Sequence, residues 1–190
     1  MTPNGITAGD WLAVLGGSGG SGIAAIQLGH ALGAQVIAVV SDEERAAFCR
    51  ELGADVTINR HDGPLAPALR QATGDHGVDL IYDPVGGAAA EDAAGAMARN
   101  GRLLAVGFAS GTWPSLATHN LVVTNTSLVG VFAGGYAREE LDAIHANLAM
   151  LVIEGRLRTA VTAEIPFDEL DDALDRMARG GVVGKWVLVP

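Results

Sequence analysis

A chain of 190 residues is the size of one domain, or of one domain with a small appendage. With 49% hydrophobic and 18% charged residues it carries ample core material, which excludes a disordered chain. A net charge of −10 argues against a nucleic-acid or anionic-membrane partner, and the single Cys49 excludes both a disulfide framework and a Cys-rich zinc site. No run of eighteen apolar residues and no basic-then-apolar opening is present, so neither a membrane span nor a signal peptide is read, and the expected location is the cytoplasm.

In chain order, short apolar runs alternate with Ala-rich stretches of helical spacing. Residues 11–15 read as a buried strand ending at glycines. Residues 23–32 follow as a helix, with Ile23, Ile26, Leu28, Ala31 and Leu32 apolar and Gln27 facing outward, stopping at Gly33. Strands are then predicted at 36–40, 56–58, 78–82 and 102–106, with helices at 42–52, 64–73 and 88–99 between them. That cadence means parallel strands joined by right-handed crossovers, and wholly apolar strands such as 36–40 fit a sheet covered on both faces.

After Gly107 the rhythm loosens. Residues 108–118 form a polar loop with Gly and Pro, 128–132 a sixth strand and 138–154 a long helix. A strand at 161–165, a helix at 168–179 with Asp168 as N-cap, and a strand at 185–189 complete the chain. The expected fold is therefore a doubly wound parallel Rossmann sheet of about six strands with helices on both faces. Residues 1–158 form this domain, and residues 159–190 are a strand-helix-strand tail.

Gly17, Gly19 and Gly22 have the G-x-G-x-x-G spacing, directly between a strand and a helix. The first glycine permits a tight turn, the second lets backbone approach a pyrophosphate, and the third lets helix pack on strand. Exposed N–H groups at the helix start and the positive dipole end of the helix attract phosphate. The competing reading is a glycine-rich turn that binds nothing. A P-loop is excluded by the lack of Gly-Lys-Ser/Thr.

The end of the second strand decides which ribose is read. A site for NAD puts an acid there to accept from the 2′-hydroxyl, whereas this strand ends in Val40 and Ser41, with Asp42 beyond and Arg45 one turn on. A hydroxyl and a guanidinium suit a 2′-phosphate, so NADPH is the expected cofactor and NADH the alternative that Asp42 keeps open. Ser41 also has a structural reading, as N-cap of a capping box closed by Glu44.

Several further segments bear on the chain's relationship. They are Ala8, Gly9 and Asp10 before the first strand, the 27–34 run QLGHALGA, the 51–55 run ELGAD, and Val78 and Asp79 leading to the 83–87 run DPVGG. To these add Gly101, Arg102 and Leu103 leading to the 107–111 run GFASG, and the closing 183–188 run VGKWVL. In this order and spacing the chain resembles the medium-chain dehydrogenase/reductase superfamily, in its zinc-independent quinone oxidoreductase (zeta-crystallin-like) branch. The resemblance implies an NADPH-dependent oxidoreductase that passes hydride to a quinone or another activated carbonyl or enone acceptor.

It also implies roles for particular residues. Gly19, Gly20 and Ser21 meet the pyrophosphate, and Ser41 with Arg45 meets the 2′-phosphate. Arg60 stands where relatives often carry an aromatic beside the adenosine, so it stacks on adenine, reaches the phosphate or is a solvated charge. Gly107, Phe108, Val131 and Phe132 line the nicotinamide end, against the alternative of core packing, which is the expectation for Phe132. Asp83 reads as a turn and cap residue; no catalytic residue is assigned.

The N-terminal GroES-like domain of such proteins, which holds most of the substrate pocket and any zinc, is not among these 190 residues. The strands at 161–165 and 185–189 are then expected to lack their usual sheet partners, which predicts pairing of copies as a homodimer, a separate catalytic-domain chain, or a rearranged tail. The alternative function is a non-catalytic dinucleotide-binding or dimerisation module. His30, His61, His76, His119 and His145 lack metal-ligand spacing, so no zinc is expected.

Overall fold

The computed structural model describes residues 5–190, so the first four residues of the expected domain lie outside the described residues. Its strands are β1 (Trp11–Leu15), β2 (Gln35–Val40), β3 (Val56–Asn59), β4 (Val78–Asp83), β5 (Met97–Ala105) and β6 (Ser127–Gly130). All pair in parallel, in the order β3-β2-β1-β4-β5-β6. The helices α1 (Gly22–Ala31), α2 (Glu43–Glu51), α3 (Leu65–Ala72) and α4 (Gly87–Ala94) are the crossovers. This is the doubly wound order, and the chain reverses direction across the sheet between β1 and β4, which opens a crevice outside their carboxyl ends.

Alternation along the strands divides the core into two layers. Leu12, Val14, Val36, Ala38 and Val40 pack under α1 and α2 with Ile23, Ile26 and Cys49. Ala13, Leu15, Ile37 and Val39 point the other way, onto Leu65 and Leu69 of α3 and Ala90 and Ala93 of α4. Because both faces are covered, β1 and β2 need apolar residues at nearly every position, which is why they read as continuous apolar runs.

Several expectations are corrected. The helix expected over 88–99 ends at Ala94, and β5 begins at Met97 rather than 102. Gly95 caps the helix, the Ala96 carbonyl accepts from Val78 N–H at 2.9 Å, and Ala96, Met97 and Ala98 are buried. Tertiary pairing thus overrides the helical propensity of an Ala-rich stretch. Beyond the loop, α5 (Thr118–Thr124), which was not anticipated, closes on Asn125 in the left-handed conformation with φ 52°.

Gln27, expected to face outward, is buried. Its amide nitrogen donates to the carbonyls of Ile23 and Arg158, and its amide oxygen accepts from the Arg158 N–H at 3.0 Å. The helix α6 (Arg138–Ile153) leads into a tail made of β7 (Val161–Pro166), α7 (Leu170–Ala178) and β8 (Lys185–Val189). Asp168 is not the N-cap of α7: a 3₁₀ turn over Phe167–Glu169 follows Pro166 and moves the cap to Glu169. The two tail strands, β7 and β8, pair with each other in parallel. No helix among the described residues is long and apolar enough to cross a membrane.

Candidate dinucleotide site

The glycine turn leaves β1 and enters α1 at the mouth of the crevice. The left-handed residue is Gly16, with φ 61°, where a Cβ would meet Val85 Cγ2 at 3.0 Å. The tight-turn role expected of Gly17 therefore belongs to its neighbour. Gly17 is required for packing, since a Cβ there would press on Ala38 at 3.0 Å and Ile26 at 3.3 Å.

Gly22 matches its expected role: a Cβ would stand 2.8 Å from the Gly17 carbonyl oxygen and closer still to that of Gly16. At Gly19 a Cβ would meet only the Gly16 oxygen, at 3.4 Å, so its missing side chain leaves open space above the turn. Among the described residues the amides of Gly20 and Ser21 donate to no protein group, so two N–H donors at a helix start face that space. The cradle has the donor set and clearance a pyrophosphate requires.

Two groups that sequence reasoning passed over complete the turn. Lys185, the only lysine of the chain, sits at the start of β8 with its ammonium 3.2 Å from where a Gly20 Cβ would lie. The tail brings it there: the Gly184 N–H donates to the Ser18 carbonyl at 2.8 Å. The Ser21 hydroxyl meets the Tyr82 hydroxyl at 2.8 Å, tying the turn to β4 across the crevice. The rarity of lysine in this chain was the one available signal for Lys185, but nothing in a linear sequence placed it beside residue 20.

Ser41, Arg45 and Arg60 converge on one cleft of about 180 Å³, which Gly16, Ser18 and Val85 also line. The capping box expected from Ser41 and Glu44 is replaced by Asp42 as N-cap, whose Oδ1 accepts from the Arg45 N–H at 2.9 Å. Asp42 is extended, at φ −163° and ψ 172°, the backbone conformation of an N-cap. The Ser41 hydroxyl donates to Asp42 Oδ2 at 3.0 Å, and the Arg45 guanidinium pairs with that same oxygen. The other Arg45 nitrogen donates to the Gly180 carbonyl of the tail at 2.6 Å. The Arg45 backbone N–H first, and then the Ser41 and Arg45 side chains, hold the Asp42 carboxyl below its ordinary value. Behind the turn, burial pushes the Cys49 thiol up to about 11, so it is a packing group and not a nucleophile.

At the other end of the crevice, Gly107 and Phe108 follow β5, and Val131 and Phe132 follow β6. Core packing, expected for Phe132, does not occur. That ring is 78% exposed, and Phe108, 49% exposed, packs on Trp113 with ring centroids 4.6 Å apart. The reason is that β6 ends at Gly130, two residues earlier than expected. Asp83 is wholly buried and does the turn work expected of it, Oδ1 accepting from Val85 N–H at 2.9 Å and Gly86 N–H at 2.7 Å. Its Oδ2 has no partner among the described residues, and burial raises its pKa. Among the described residues, no group of three or more His, Cys, Asp or Glu side chains could hold a metal ion.

A doubly wound sheet with a glycine cradle at its reversal point defines the class: a dinucleotide-binding domain of the oxidoreductase type. Residues 20–149 match the zinc-binding dehydrogenase family, and the chain belongs to that family, within the medium-chain dehydrogenase/reductase superfamily. Quinone oxidoreductase-like protein 2 of Bos taurus is 28% identical over 95% of this chain and 53% of its own length. Among solved structures, a probable oxidoreductase from Mycobacterium abscessus is 40% identical with a TM-score of 0.82, the match covering 97% of this chain and 56% of that one. A mycobacterial protein complexed with NADPH gives a TM-score of 0.91 at 28% identity, over 100% of this chain and 60% of that one. The chain thus spans about half the length of the relatives it matches, their nucleotide-binding half.

Proposed function

We propose that the chain binds NADPH in the crevice between β1 and β4 and is the cofactor half of an oxidoreductase acting on quinones or other activated carbonyl or enone acceptors. The observation that carries this reading is the convergence of Ser41, Arg45 and Arg60 on one corner beside the glycine cradle. In that arrangement the pyrophosphate lies over Gly19, Gly20 and Ser21, the 2′-phosphate meets Ser41 and Arg45, and Arg60 flanks the adenine. Gly107, Phe108, Val131 and Phe132 border the nicotinamide. The cofactor supplies the hydride, and the chain supplies its position and exposes one face to the acceptor. The quinone acceptor is supported by the name of the bovine relative, and NADPH by the complexed mycobacterial neighbour. Pairing of copies belongs to the same reading, since α6 and the tail expose Ile144, Leu148, Ile153 and Leu188.

Isothermal calorimetry with NADPH and NADH tests the assignment. Arg45→Ala is expected to weaken NADPH binding by about 1–3 kcal/mol, the worth of a charged hydrogen bond, and to leave NADH nearly unchanged. An equal loss for both cofactors removes Arg45 from the 2′-phosphate. Lys185→Ala, in contrast, is expected to weaken both cofactors alike, by about tenfold, because the pyrophosphate is common to them. A loss confined to NADPH would move Lys185 from the pyrophosphate to the 2′-phosphate.

The half-length coverage favours one other reading, a binding module that works with a separate catalytic-domain chain. Steady-state NADPH oxidation with quinone and enone acceptors separates the two. Turnover by the purified chain refutes the module, and tight binding without turnover favours it.

A further inference from the structure

We infer that the far end of α1 carries a second anion site, one that takes a small phosphate monoester. Three segments distant in sequence meet there: the last turn of α1, the turn after α2 and the link from α6 to β7. They enclose a cavity of about 370 Å³ lined by His30, Arg50, Arg156 and Arg158, with Glu51 the one acid on its wall among the described residues. The glycine cradle stands at the other end of α1, a helix of 10 residues and hence about 15 Å long. In a chain of net charge −10, three arginines around one cavity reverse the local sign of charge, and the volume is that of a small-molecule site.

Two of the arginines are tethered and the third is not. Arg50 donates to the Thr57 hydroxyl at 2.8 Å and pairs with Glu43. Arg156 donates to the Ala31 carbonyl, which ends α1, and pairs with Glu154 at 3.4 Å. The Arg158 guanidinium has no hydrogen-bond or ion-pair partner among the described residues, although its backbone is fixed. Its N–H donates to Gln27 Oε1 at 3.0 Å and its carbonyl accepts from Gln27 Nε2 at 3.1 Å, and Gln27 is buried. An uncommitted charge therefore springs from a rigid base. The His30 ring, equally without a polar partner among the described residues, closes over Gly53, where a Cβ would stand 2.7 Å from its Cγ. Any larger residue at 53 would push the imidazole out of this corner. The free guanidinium presents a planar fork that matches two phosphate oxygens, and the imidazole adds a donor beside it. A monoester brings about two negative charges at neutral pH to a cavity where Arg50 and Arg156 contribute field without leaving their partners. The Glu51 carboxylate is left to accept from a hydroxyl of the organic part.

The test is a titration of the ¹⁵N-labelled full chain with glycerol 3-phosphate at constant ionic strength, read by ¹H–¹⁵N correlation spectra, with glycerol and sodium chloride as controls. The amides of Gly53, Gly155 and Arg158 are expected to shift and saturate together with the ester and with neither control. Arg158→Gln is expected to weaken this binding at least about tenfold, the loss of one charge-assisted contact. Its melting temperature is expected to stay within about 2 °C of wild type, because only the backbone of Arg158 engages Gln27. Shifts that do not saturate, an equal response to sodium chloride, or saturation unchanged in Arg158→Gln overturns the site. Shifts confined to residues 19–21 place the ester in the glycine cradle and overturn it as well.

Discussion

Gly22→Ala is expected to lower the unfolding free energy by about 3 kcal/mol and to abolish dinucleotide binding, because the added carbon has nowhere to go. Its neighbours would be the Gly17 carbonyl oxygen at 2.8 Å and the Gly16 carbonyl oxygen, both backbone atoms of the turn itself. A flexible side chain would yield to such a contact, but a turn held by the Gly17 N–H bond to the Val39 carbonyl and the Gly19 N–H bond to the Gly16 carbonyl cannot. The helix must lift from β1, and burial of Ile23 and Ile26 is lost with it.

Gly19→Ala supplies the contrast. Its Cβ touches only the Gly16 oxygen, at 3.4 Å, and projects into the space proposed for the pyrophosphate. Stability is expected to stay within about 0.5 kcal/mol of wild type while affinity for NADPH and NADH falls at least about tenfold. Thermal unfolding followed by circular dichroism, paired with calorimetry, reads both quantities. If Gly22→Ala melts with the wild type, the close approach of helix and turn is not what the third glycine serves. If Gly19→Ala binds normally, the phosphate lies elsewhere on the turn.

That contrast also shows which features of the site were legible in the sequence. The G-x-G-x-x-G spacing located the turn and the role of Gly22, because close packing of α1 on β1 follows from strand, turn and helix in succession. The left-handed residue fell one position earlier, at Gly16, since spacing alone does not say which glycine of a run takes the positive φ. Apolar runs located the six strands, most sharply β1 and β2, because strands covered on both faces leave no ambiguity of face. The helix expected over 88–99 was carried past its end at Ala94 because alanine has high helical propensity wherever it stands, and only pairing of Val78 with Met97 turns the following segment into strand.

Most of the less legible features involve contacts distant in sequence. Gln27 is buried by the backbone of Arg158, Arg45 is held by Gly180, and Lys185 overlies Gly20. Each joins the N-terminal part of the domain to a residue more than a hundred positions on, in or just before the tail, and no local period encodes such a contact. Ser41 and Arg45 were selected for their chemistry and do share one cleft, and Asp42, read as the residue that keeps NADH open, is also their common partner.

Asp83→Ala is expected to destabilise the chain by about 2–4 kcal/mol, from the loss of one acceptor shared by two backbone donors. Oδ1 takes the N–H groups of Val85 and Gly86, and the second of these lies in a fully enclosed position. The turn so fixed carries Val85 into the cleft beside Gly16, and Pro84 packs on Gly107. Its loss therefore loosens both walls of the crevice. Asp83→Asn keeps an oxygen in that place, so it is expected to retain the turn and most of the stability, and the two variants separate acceptor from charge.

The pH dependence then tests the charge alone. Burial without a partner on Oδ2 raises the Asp83 pKa above its unfolded value. The folded state thus binds the proton more tightly than the unfolded state does. Its contribution to stability is full below the unfolded pKa and is lost as pH rises through the folded one. Asparagine does not titrate, and all other groups are shared, so the melting temperature of Asp83→Asn minus that of wild type is expected to increase with pH over that interval and then level off. A difference that shrinks as pH rises would mean that the folded protein stabilises the Asp83 carboxylate, and that burial is not the dominant influence on it.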